Sequence, residues 1–165
     1  MSEAREVLAA LADRLPFGLG DVLVFRDGEE AWLQSASVLS EDAPIAVLFR
    51  APAARVDRAV YLRAVAPHDS ALLSLLRVER GPIEPPSSLE EDDVLYSRTR
   101  RLPVSVARVD DASFDLEGSA IVGEYRGLGD RRLLRLATPE AVMLFAGRSL
   151  TRDDYDRLPG SPETV

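Results

Sequence analysis

Asp21-Val22-Leu23-Val24-Phe25-Arg26-Asp27-Gly28-Glu29-Glu30-Ala31-Trp32-Leu33-Gln34-Ser35-Ala36-Ser37-Val38-Leu39 opens as an apolar run, turns, and returns as a second run carrying the only tryptophan. Asp-Gly between two such runs is a strong hairpin signal, because both residues tolerate the positive φ that a tight turn requires. The reading is a strand over 21–26 and a returning strand over 31–39. The same grammar repeats on both sides of it. Glu41-Asp42-Ala43-Pro44 is the next turn, Ile45 to Arg50 a third strand, and Ala59 to Val65 a fourth. Further on, Val94 to Arg98, Val104 to Val109, Ser119 to Tyr125, Arg131 to Ala137 and Ala141 to Phe145 are strand-like, bounded by Asp110-Asp111, Gly118, Gly127 and Pro139.

Two segments break the pattern. Ser2 to Leu15 is an amphipathic helix: Ser2 caps it, Glu3 and Glu6 suit its positive end, and Val7, Leu8, Leu11 and Leu15 share a face until Pro16 stops it. Ala71 to Arg80, with leucines at 72, 73, 75 and 76 before Gly81-Pro82, reads as a short helix, with a strand as the alternative. The stretch 81–93 combines Pro82, Pro85 and Pro86 with the acidic run Glu90-Glu91-Asp92-Asp93 and reads as a linker. A turn of helix is expected near Asp153 to Arg157, and 161–165 is expected to fray. The fold class is therefore mainly β (α+β with few helices): an antiparallel β-sandwich or partly open barrel with an N-terminal helix laid against it. It is read as a single domain over 1–165, with two β units, 1–80 and 94–160, as the alternative. Gly-Leu-Gly-Asp at 18–21 and again at 127–130 is too short a match to establish a duplication.

At 165 residues, 46% of them hydrophobic and 29% charged, the chain has the size and composition of one folded domain. The absence of cysteine removes disulfides, thiolate metal sites and cysteine nucleophiles. The start is charged, and no apolar run approaches the length of a membrane span, so cytoplasm is the expected location. A net charge of −8 repels nucleic-acid phosphates and anionic lipid surfaces alike. Every basic residue is arginine, which codon bias in a GC-rich genome accounts for.

No motif organises catalysis. His68-Asp69-Ser70 holds the three residue types of a hydrolase triad, but neighbours in sequence rarely converge, and a capping loop explains them. Glu90 to Asp93 lacks the spacing of a calcium loop. Gly18-Leu19-Gly20 and Gly127-Leu128-Gly129 read as turns, not phosphate cradles. The most ligand-like group is Tyr96 with Arg98, Arg100 and Arg101, to which Glu124 is added, since arginine beside an aromatic suits a phosphate or carboxylate. Neutralisation by the acidic run or by neighbouring carboxylates on the sheet is the plainer account of these arginines. No catalytic residue, metal or cofactor is expected.

Val94-Leu95-Tyr96, Ala120-Ile121-Val122-Gly123-Glu124-Tyr125, Leu133-Leu134-Arg135-Leu136, Gly147-Arg148 and Leu158-Pro159-Gly160 together resemble a bacterial family of β-rich domains of unknown function. The resemblance covers the second half only and implies a strand ending in Gly-Glu, a later strand and a Gly-bounded hairpin. It assigns no site residues.

The expected function is that of a non-catalytic binding or adaptor domain, meeting a protein partner along a sheet face or edge strand. One alternative is an immunity or inhibitor protein for a basic toxin, which an acidic domain would attract. The other is a small-molecule binder or enzyme using Tyr96, Arg98 and Arg100 with Glu124.

Overall fold

The computed structural model describes residues 2–67 and 69–160. Helix α1 (Glu3–Leu11) begins where the sequence places it: Ser2 Oγ accepts the Arg5 N–H at 3.1 Å and donates to the Val109 carbonyl at 2.8 Å, which ties the helix to the body. Twelve strands follow: β1 (Val22–Phe25), β2 (Glu30–Trp32), β3 (Ser35–Ser40), β4 (Pro44–Pro52), β5 (Asp57–Arg63), β6 (Ser70–Glu79), β7 (Ser88–Glu91), β8 (Val94–Arg108), β9 (Gly118–Arg126), β10 (Arg131–Ala137), β11 (Val142–Leu150) and β12 (Tyr155–Leu158).

The mainly antiparallel β reading with one N-terminal helix holds. Strands run in the order β3-β4-β5-β6-β11-β10-β9-β8, and β8 pairs back onto β3, so eight strands form a closed barrel where a sandwich or partly open barrel was expected. Strands β3 to β6 and β8 to β11 each supply half of it. The remaining β12-β1-β2 form a separate three-stranded sheet.

Barrel closure explains where the strand pattern departs from simple alternation. Ala71 and Leu73 of β6 point into the barrel core with Leu48, Val122, Leu134, Leu136 and Phe145, while Leu72 packs on the outer cluster. The first half of Ser70–Glu79 is covered on both faces, and a strand so covered shows a continuous apolar run that imitates a helix in sequence; the segment is a strand where a helix was expected over Ala71 to Arg80. The expected strand 31–39 is divided for a related reason: Leu33-Gln34 carries the chain from the small sheet to the barrel, and β2 and β3 belong to different sheets. The turn of helix expected near Asp153 to Arg157 is a 3-10 turn over Arg152–Asp154, and β12 follows from Tyr155. The fraying expected at 161–165 lies outside the described residues.

On one outer side α1 and the inner face of the small sheet cover the barrel. Leu8, Phe17, Leu23, Phe25 and Tyr155 meet Phe49, Val60 and Leu62 there, with Phe17 edge-on to Phe49 and to Tyr155, both at 5.7 Å. On another side lies the stretch read as a linker. It is a strap: Arg98 donates to the Pro85 carbonyl at 2.7 Å, Tyr125 donates to the Pro86 carbonyl at 2.7 Å, and Arg135 donates to the Pro82 carbonyl. Gly123 is required beneath it, because a Cβ there would stand 2.9 Å from Pro85 Cβ. The strap ends in β7, which hairpins onto β8 through Asp92 and Asp93, both at positive φ (50° and 62°). The acidic run is thus a strand and a tight turn, with Glu91 paired to Arg77 at 2.7 Å.

Candidate functional site

Because side chains alternate along a strand, residues two apart from a core residue also face the barrel interior. Tyr61 and Arg63 follow Ala59 on β5, Glu124 follows Val122 on β9, and Arg132 precedes Leu134 on β10. With Asp69, just before β6, they converge at one end of the barrel. Tyr61 donates to Glu124 Oε2 at 2.5 Å, Arg63 donates to Asp69 Oδ2 at 3.0 Å, and Arg132 reaches Asp69 Oδ1 at 3.6 Å. The space they enclose is about 20 Å³, room for one water.

Low dielectric sets the charge states here. Burial pushes the Glu124 carboxyl up, while the Tyr61 hydroxyl and the Arg63 and Arg132 guanidinium groups hold it back. Tyr61 is raised well above a phenol's ordinary value, first by burial and then by the adjacent Glu124. Arg132 is lowered, first by burial and then by Arg126 directly opposite it. The arrangement binds a proton between Tyr61 and Glu124 and presents guanidinium donors around a very small cavity.

Of the residues singled out in sequence, Glu124 belongs to this cluster. Arg100 stands opposite Glu124 in the β8–β9 register, on the same inner face. Tyr96 is buried on the outer face with Tyr125, Leu133 and Leu144. Arg98 holds the strap, and Arg101 pairs with Glu84 of the strap at 2.6 Å, so its neutralising carboxylate comes from the strap and not from the acidic run. The five therefore divide between two faces of the sheet. Tyr61, Arg63, Asp69 and Arg132 were missed; their signal was a polar residue in phase with inward-facing apolar ones. His68, and with it the triad reading, lies outside the described residues. Among the described residues no group of three or more His, Cys, Asp or Glu is placed to hold a metal ion. Both Gly-Leu-Gly stretches are turns: Asp21 closes the first, its carboxylate accepting from Gly18 N–H at 2.7 Å, Arg157 Nε at 2.8 Å and Gly160 N–H at 2.8 Å.

No family model, curated protein or solved structure matches this chain. Its function is read from its own surfaces. The three-stranded sheet buries Leu23, Phe25, Ala31 and Tyr155, which turns the alternate residues outward. Val22 pairs with Leu158 on one side and with Trp32 on the other, forming an apolar row across the sheet. Trp32 and Leu158 are each 52% exposed. The next row is Asp156, Val24 and Glu30. Segments 22–32 and 151–158 together carry six carboxylates and three guanidinium groups.

Proposed function

We propose that this chain is a non-catalytic binding domain that meets a protein partner on the outer face of the β12-β1-β2 sheet. The observation that carries the reading is the row Leu158–Val22–Trp32, an apolar strip on a sheet whose other face is already buried. A half-exposed tryptophan flanked by aliphatic residues has the composition of an interface anchor. The barrel interior is filled at its polar end, where the space between Tyr61, Arg63 and Glu124 is about 20 Å³, room for one water. Carboxylates outnumber guanidinium groups around the strip, so the complementary partner has a basic rim around an apolar centre. An inhibitor of a basic toxin is the narrower form of this proposal.

A photoreactive residue at position 32 tests it in the cells that make the protein, with the same residue at Leu128, 84% exposed on a hairpin tip, as the control. The expected result is a discrete product with a basic protein from position 32 alone. The purified pair should bind in a salt-dependent manner, and Trp32→Glu should weaken it by roughly a hundredfold, the effect of losing an interface anchor. Absence of a product specific to position 32, or undiminished binding by Trp32→Glu, overturns the proposal.

A further inference from the structure

Four arginines share the inner face at the polar end of the barrel: Arg63 on β5, Arg100 on β8, Arg126 on β9 and Arg132 on β10. Two carboxylates, Asp69 and Glu124, face them there. On this inner face, among the described residues, four guanidinium groups stand against these two carboxylates. Arg126 and Arg132 are directly opposed across the β9–β10 ladder, where like charges repel. Arg63 lines the cavity, and its Nε is buried without a hydrogen-bond partner among the described residues. Opposed like charges and an unpartnered buried donor are each a cost to the protein alone.

We infer that this end of the barrel binds a phosphate dianion, free or as a phosphomonoester, seated between Arg126 and Arg132 with Arg63 beneath and Arg100 at the flank. Two negative charges balance four guanidinium groups set against two carboxylates. Guanidinium forks match phosphate oxygens in pairs, and donors of this kind make the shorter and stronger hydrogen bonds. A cavity of about 20 Å³ receives one oxygen of the anion. The rest stays at the rim beside Arg126, whose side chain is exposed, so an ester's organic part remains outside. This site is separate from the sheet face and stands or falls independently of it.

The test is thermal unfolding of the full chain in inorganic phosphate, in glycerol phosphate, and in sodium chloride of equal ionic strength. Phosphate should raise the midpoint with the logarithm of its concentration, by about 4 °C at ten times the dissociation constant. Arg126→Gln should raise the midpoint in the absence of phosphate, by removing the repulsion, and should weaken the phosphate response at least tenfold. Arg131→Gln, one residue before Arg132 and exposed on the outer face, should respond as the parent does. A response to both phosphates supports a site open to esters, and a response to inorganic phosphate alone restricts it to the free ion. No rise beyond that in chloride, or equal responses from the Arg126 and Arg131 variants, overturns the inference.

Discussion

The two ends of the barrel are closed by different physics. At one end the chain between β8 and β9 folds inward and drives Phe114 and Leu116 into the core, with Phe114 edge-on to Phe145 at 5.2 Å. Polar groups there fasten the plug: Arg50 lies 4.9 Å over the Phe114 ring and forks onto Asp57 at 2.6 and 3.0 Å, and Ser113 donates to the Ala36 carbonyl at 2.6 Å. At the other end Tyr61, Arg63, Asp69, Glu124 and Arg132 meet around a water-sized space. Closure by apolar area is insensitive to pH and salt. Closure by buried charge depends on both, because each group's solvation is given up for partners that titration or an anion can change.

This contrast is open to attack at each end. Phe114→Ala should have the largest effect, a loss of about 4 kcal/mol in denaturant unfolding, because it empties the plug under a rigid barrel. A loss below about 1 kcal/mol would mean that the loop is an ornament and not a plug. Tyr61→Phe should cost about 2 kcal/mol, since it strips a buried carboxyl of its donor; an unchanged midpoint would show that water replaces the hydroxyl.

Glu124→Gln should have the smallest effect and the most informative pH dependence. A buried carboxyl whose folded pKa lies above its ordinary 4.5 contributes its stability in full below that value, and the contribution is lost as pH rises through the raised one. An amide in its place does not titrate and has no such loss. The stability of Glu124→Gln relative to the parent should therefore increase from acid to neutral pH, read by urea unfolding at several pH values. A difference that shrinks with rising pH would show that the neighbouring Arg63, Arg100 and Arg132 outweigh burial, with Glu124 acting as an ion pair. The corresponding difference for Phe114→Ala should be flat across the same range.

What was legible in sequence were features set by neighbours along the chain. Ser2 capping the helix, the Asp27-Gly28 turn with Gly28 at φ 88°, and the alternating strands of the second half depend on local sterics and hydrogen bonds, and these are written in order. What tertiary structure alone decided was which surfaces face each other. Ser70–Glu79 is a strand because two cores cover it, and 81–93 is a strap because arginines from β8 and β10 meet its proline carbonyls. Arg63 and Asp69 meet across the β5–β6 hairpin and Glu124 and Arg132 lie on paired strands, but curling of the sheet into the barrel is what brings the two groups together. A polar residue in a strand looks like surface until closure buries its face, and burial is what turns these scattered charges into a site.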